Sequence, residues 1–342
     1  MGYKDKNRYR KTLHQQLFQK LNSMQAFGQS KKAAIEDGTY KDKIFSFNTY
    51  QTYYKHCKYF IDYVKTHHPE ANTLKKARPY VNEWLQSRVD KGLSAWTVQT
   101  EAKALGKLYG ISQDDKDYFT PPTRHRSDIT RSRGERVRDR HFSESNNREL
   151  INFCRGIGAR REGLSKLCGR DLVTKDQINK TVEKYIEKAK KERLSENELK
   201  NLKILKDAQL FSKTEYFVFL REKGGRSRIS PIIGAHQQEI VERIRNTPQD
   251  DKVWKHVSSN ADIHGYRSDY SNAIYNMYAR PIETIPYDRI NRGTGRRFQS
   301  EVYYCRKDEK GRKLDKKAML MASKALGHNR LDIVASNYLR GL

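Results

Sequence analysis

The sequence predicts a mainly α-helical protein with one small β-sheet, divided into an all-α unit and a mixed α+β unit. Three observations predict it. Apolar residues recur at helical spacing from residue 10 to about residue 119, with no strand signal. A basic stretch with two prolines and a glycine then breaks the periodicity. Beyond it, two short β-type runs stand among further helical segments. The boundaries fall at 1–119, 120–141 and 142–342.

Residues 10–34 read as helical, with Leu13, Leu17 and Leu21 on one stripe. Residues 48–66, NTYQTYYKHCKYFIDYVKT, carry Tyr50, Tyr53, Tyr54, Cys57, Phe60, Ile61 and Val64 at a 3.6-residue period. Asn48 or Thr49 is placed to cap that helix. Pro79 opens another, with Trp84 and Leu85 inward and Gly92 ending it. Ser94 caps the next, which runs through Ala102, Leu105 and Leu108 to Gly110.

The stretch TPPTRHRSDITRSRGERVRDR carries seven arginines: Arg124, Arg126, Arg131, Arg133, Arg136, Arg138 and Arg140. It reads as a linker, and arginine at this density suits phosphate contacts along a duplex. Residues 145–156 are helical again. Residues 174–208 alternate Lys, Glu, Leu, Ile and Asn at helical period, with Ser195 starting a second helix, so an exposed helical hairpin is expected. YFVFLR (216–221) and SRISPII (227–233) read as strands around an EKGG turn. Helices resume near Gln237, and a second hairpin is expected around Glu309, Lys310 and Gly311.

The net charge of +28 and the pI near 9.8 attract polyanions, of which nucleic acid is the commonest large one. A membrane surface is the rival. No apolar run approaches the ~18 residues of a transmembrane helix, and the opening MGYKDKNRYRKTLHQQ is not a signal peptide. The expectation is a soluble, cytoplasmic protein with duplex DNA as partner and no membrane. Cys57, Cys154, Cys168 and Cys305 are too scattered for a disulfide framework or a zinc site.

Four clusters can carry chemistry: Arg160 in GARREGLSKL, Lys223 in REKGGRSRISP, His264 and Arg267 in HGYR, and His328 with Tyr338 in the tail. His264 and Arg267 stand at i, i+3, which places both on one side of a helix. Singly, each has an ordinary reading: a surface ion pair, a turn lysine, a chance HxxR, a packed tyrosine. Together they fit the metal-free cutting of a DNA strand. A tyrosine hydroxyl attacks phosphorus and conserves the bond energy in a phosphotyrosyl ester. Two arginines hold the non-bridging oxygens as charge builds. A lysine protonates the leaving 5′ oxygen, and a histidine handles the tyrosine proton.

GARREGLSKLCGRDL, EKGGRSRISP, HGYR and LGHNRLDIVASNY, in that order, resemble the Arg box, Lys hairpin, HxxR box and terminal LGH-to-Tyr box of the tyrosine recombinases, the integrases of phages and integrative elements. The resemblance covers residues 142–340 by motif. The N-terminal half is similar only in kind, to the helical core-binding domain of such enzymes. The resemblance implies that Arg160 and Arg267 clamp the phosphate, Lys223 is the general acid, and His264 a general base or acid. His328 would hydrogen-bond the scissile phosphate, and Tyr338 would be the nucleophile. It further implies site-specific integration and excision through a four-way junction, by a tetramer formed on DNA, with no metal or other cofactor. An accessory directionality factor is a further possible partner.

The chain departs from the family pattern in several places. Gly163 stands where an acid usually follows the first arginine, and Ser268 where a histidine is common. The step from His328 to Tyr338 is ten residues. Insertions are expected near 174–212 and 281–317. Only Leu339 to Leu342 follow the tyrosine, so the usual exchange of a C-terminal helix is in doubt, and another segment would have to link the subunits. No separate arm-site domain is expected ahead of Phe47. Two rival functions fit the same composition: a type IB topoisomerase-like nick-and-reseal enzyme, and a DNA-binding protein with a decayed site.

Overall fold

A reciprocal cap sets the first described helix. Thr12 accepts from the Gln15 backbone and Gln15 returns to the Thr12 N–H, which starts α1, Leu13–Ser23. The computed structural model describes residues 11–125, 128, 142–222, 226–285, 301–306, 309–328 and 330–339. Contacts divide the chain into two compact units, Met1–Ile129 and Thr130–Leu342.

Among its described residues the first unit is helical apart from one isolated bridge between Gln25 and Ile44. The single helix expected over 10–34 is two: α1 stops at Ser23, and α2 is Lys31–Glu36. Gly28, with φ 79°, lies in the turn between them, a backbone shape that ends a helix. The tyrosine stripe forms α3, Phe47–His67, capped by Ser46, two residues before the nearer of the expected caps. After α4 (Leu74–Ala77) and a 3₁₀ turn at Arg78–Tyr80, α5 runs Val81–Asp90. Ser94 accepts from the Thr97 N–H and starts α6, Ala95–Tyr109. Phe60, Ile61, Trp84, Leu85 and Leu105 fill the core between α3, α5 and α6. Each such burial contributes about 1.5–3 kcal/mol.

The second unit opens with α7, Arg148–Ile157, and the short α8, Arg161–Lys166. Strand β1 (Leu172–Thr174) leads into the helical hairpin α9 (Lys175–Lys191) and α10 (Glu196–Gln209). Thr174 and Ser195 both form reciprocal capping boxes with the residue three places on. Strands β2 (Tyr216–Glu222) and β3 (Arg226–Pro231) complete an antiparallel sheet of order β1-β2-β3. Leu172 pairs with Val218, and Leu220 with Arg228. The sheet has two covered sides: Phe217 joins one apolar core, Val218 and Leu220 the other.

Helix α11 (Gln237–Arg245) precedes the central α12, Ile263–Tyr278. The second expected hairpin is present as β4 (Val302–Tyr304) and β5 (Lys313–Asp315). Two helices close the described chain, α13 (Lys316–Ala325) and α14 (Leu331–Asn337). Among the described residues no helix is long and apolar enough to cross a membrane.

Candidate active site

Glu222 is the centre of the candidate site. Period-two alternation along β2 turns Val218, Leu220 and Glu222 to the same buried side. Its carboxylate accepts from three arginines brought by three elements. Arg160, just ahead of α8, donates from Nη1 to Oε2 and from its backbone N–H to Oε1 at 3.2 Å. Arg228, on β3, donates to Oε1 at 3.1 Å. Arg267, on the buried side of α12, stands 3.4 Å from the same oxygen. Burial pushes the Glu222 carboxyl up, but Arg228, Arg267 and Arg160 outweigh it and hold it below its ordinary value.

Arg267 is fully enclosed, at 1 % exposure. Beyond Glu222 it donates to the carbonyls of Gly158 and Leu326, the latter at 2.5 Å. Burial first, and Arg228 second, push its guanidinium down to about 10. Arg228 ties the same parts together: it donates to Gly158 O at 2.8 Å and to Ala325 O. Gly158 admits this convergence because a side chain there would run into the Tyr270 ring.

The tail packs against the arginines. Gly327 has φ 68°, and a Cβ on it would stand 2.7 Å from Arg228 Cδ. His328 is locked at its backbone: its N–H donates to Ser323 O at 2.8 Å, and Ser323 Oγ donates to its carbonyl at 2.7 Å. Its ring Nε2 is buried and has no hydrogen-bond partner among the described residues. Burial, then the charges of Arg267, Arg160 and Arg228, push the imidazole down to about 4, so it is neutral at pH 7. Tyr338 follows the last turn of α14. Its ring lies 5.4 Å from the His328 ring, and 5.7 Å from Arg267 Cζ. Ser268, next to Arg267, donates to the Tyr338 carbonyl at 2.8 Å.

Of the residues singled out in the sequence, Arg160, Arg267, His328 and Tyr338 come together. His264 does not: it is exposed in the first turn of α12 while Arg267 is buried, and no hydrogen bond or ion pair joins it to the cluster among the described residues. Both stand on α12 three residues apart, as their spacing implies, but the first turn of that helix is left at the surface, so His264 is exposed where Arg267 is enclosed. Lys223 lies outside the described residues, as do Arg126, Arg131, Arg133, Arg136, Arg138 and Arg140. Arg124 is described, with its guanidinium 5.5 Å over the Trp96 ring.

Sequence reasoning overlooked Glu222 and Arg228. The signal was present: the alternation of YFVFLRE puts Glu222 in phase with buried Val218 and Leu220, and a charged residue at an inward strand position demands a partner. Among the described residues no group of three or more His, Cys, Asp or Glu side chains is placed to hold a metal ion. No family model matches the chain, and no curated protein matches it.

Proposed function

We propose that this chain is a site-specific DNA strand transferase of the tyrosine-recombinase type, with Tyr338 as nucleophile. One observation carries the reading: a tyrosine, a buried histidine with an unpartnered Nε2, and three arginines sharing a single carboxylate converge in one place. Three guanidiniums against one carboxylate leave an excess of two positive charges, in surroundings where charge interacts strongly. That is a receptor for a phosphodiester, and the net charge of +28 brings the polyanion to it.

The proposed chemistry gives each of these residues a role. The Tyr338 oxygen attacks phosphorus, the P–O bond to the 5′ oxygen breaks, and a 3′-phosphotyrosyl ester forms. Arg160 and Arg267 take the non-bridging oxygens as their charge grows. His328, neutral at pH 7, offers Nε2 to the phosphate or to the tyrosine proton. Lys223 supplies the proton to the leaving 5′ oxygen, and His264 serves as a second proton carrier from the exposed edge. Attack by a 5′ hydroxyl on the ester reverses the step and returns the tyrosine. In exchange between two sites, four protomers on DNA carry the strands through a four-way junction.

The test is covalent trapping. The protein is mixed with nicked duplexes made from the DNA that flanks its own gene, denatured, and resolved for a DNA-linked band. A band with wild type that is lost in Tyr338→Phe is the expected result. Tight duplex binding with no band on any such duplex would leave a DNA-binding protein instead.

A further inference from the structure

We propose that the β4–β5 hairpin is a clasp for the tyrosine-bearing tail, with Arg312 as its positioning residue; the proposal rests on Tyr338 acting as the nucleophile. Arg312 stands one residue ahead of the return strand and donates from Nη2 to the carbonyl of Leu339, the residue after Tyr338, at 2.5 Å. Its other nitrogen donates to Glu309 at 2.8 Å, which fixes the fork within the turn. Leu339 itself is fully buried, in the same apolar core as Cys305 and Leu314 of the hairpin.

The clasp closes a circuit of hydrogen bonds that starts and ends on α12. Two residues past the end of that helix, Arg280 grips Asp315 with Nε and Nη2, each at 2.8 Å, and with its backbone N–H at 3.1 Å. Its remaining nitrogen holds Glu301, at the base of β4, at 2.8 Å. Tyr275 accepts from the Asp315 N–H at 3.0 Å. From this anchored base the hairpin reaches back through Arg312 to Leu339. One residue earlier, Ser268 of α12 takes the Tyr338 carbonyl. From Ser268 to Tyr278, the last residue of α12, is ten residues, about 15 Å of helix.

The two carbonyls beyond the end of α14 are thus held from two places, one by Ser268 on the helix that also carries Arg267 and the other by the hairpin anchored where that helix ends. The last turn of a short helix frays unless such partners hold it. With both bonds in place, the Tyr338 ring keeps its station beside Arg267 and His328. Without Arg312 only Ser268 remains, and the tail gains freedom at the atoms that must align with phosphorus.

The experiment uses the full chain with Arg312→Ala, Arg312→Lys and Arg306→Ala. Arg306 is exposed on the same hairpin and controls for the lost charge. Hydrogen exchange is read at the Tyr338 and Leu339 amides, both of which donate to Val334 O. Arg312→Ala is expected to speed that exchange at least tenfold while the α13 amides keep their protection. Single-turnover formation of the covalent adduct at saturating duplex is expected to slow tenfold or more, with duplex affinity within twofold of Arg306→Ala. Arg312→Lys, which retains one donor, is expected to fall between. Unchanged exchange at the tail overturns the clasp, and so does faster exchange with an attachment rate equal to that of Arg306→Ala. A wild-type chain that forms no adduct on any duplex sinks the strand-transfer reading, and the positioning role with it. The exchange data then decide separately whether the hairpin holds the tail.

Discussion

The carboxylate of Glu222 rests against the open side of Gly163: a Cβ on Gly163 would stand 3.5 Å from Glu222 Cγ and 3.8 Å from Oε1. The acid that holds the arginines therefore comes from the end of a strand, and the glycine beside Arg160 leaves it room. These distances are ordinary van der Waals contact, so a Cβ on Gly163 fits beside the carboxylate.

Removing the charge at that place has a predictable cost. Glu222→Gln keeps the shape but leaves three guanidiniums without a counter-ion, and breaking a buried pair in this way costs about 3–5 kcal/mol. Gly163→Ala adds only a methyl at contact distance in α8, and is expected to be neutral or to stabilise by up to about 1 kcal/mol. Gly163→Glu combined with Glu222→Ala is expected to recover part of what Glu222→Ala loses. Urea denaturation of the four variants checks this, and absence of any recovery would show that the carboxylate works only from β2.

Adjacent arginines are expected to separate into two kinds of loss. Among the described residues the Arg161 side chain donates to backbone carbonyls: Val257 O at 3.1 Å, Ser258 O, Ser259 O at 3.1 Å and Ala261 O at 3.0 Å. Arg161→Ala strands these acceptors ahead of α12 and is expected to cost about 2–4 kcal/mol of stability. Arg160→Ala leaves Glu222 with Arg228 and Arg267, so stability falls by about 1 kcal/mol, while covalent trapping falls by about a hundredfold or more. Paired denaturation and trapping assays check the split; equal stability losses would contradict it.

His328 sets a pH dependence. Its ordinary value is 6.5, and the folded chain pushes it down to about 4. Between those values the unfolded chain binds a proton that the folded chain refuses. The contribution of His328 is therefore fully present above about pH 6.5 and is lost as pH falls toward 4, with a slope of at most about 1.4 kcal/mol per pH unit. His328→Gln is expected to flatten this part of the stability profile. A ring titration followed by NMR provides the direct check: protonation of the native imidazole near pH 6 would refute the burial argument.

Gly327 tests the close approach under the tail. Its φ of 68° already disfavours any side chain, and Arg228 Cδ occupies the space a Cβ would need. Gly311 has φ 94° with open space around it. Gly311→Ala is expected to cost only the backbone term of about 1–2 kcal/mol. Gly327→Ala is expected to cost at least about 1 kcal/mol more, because Arg228 must leave the carbonyls of Gly158 and Ala325. Similar losses for the two variants would show that Arg228 moves aside freely.

Much of the helical fold is legible locally. Ser94 and Ser195 cap where the sequence places caps, and the stripes through α3 and α6 turn Phe60, Ile61 and Leu105 into a core. The break after Ser23 is missed because Leu13, Leu17 and Leu21 imply continuation, while the chain instead turns at Gly28 to pair Gln25 with Ile44. β1, three residues long, has no pattern of its own and exists through its pairing with β2. Motif spacing points to Arg160, Arg267, His328 and Tyr338, and these four do converge.

What the sequence by itself determined here is what depends on neighbours within a turn or two: caps, amphipathic stripes, the basic charge, and which residue types recur in which order. Only the tertiary structure showed what Arg160 and its neighbour Arg161 each hold. It also left His264 at the surface beside buried Arg267, made Glu222 the counter-ion, and joined Arg312 to the tail. The physical reason is range. Those outcomes turn on partners tens of residues away, such as Glu222 for Arg160 and the 257–261 carbonyls for Arg161, and burial makes each partner's identity a matter of several kcal/mol. A local pattern carries no record of who will stand opposite.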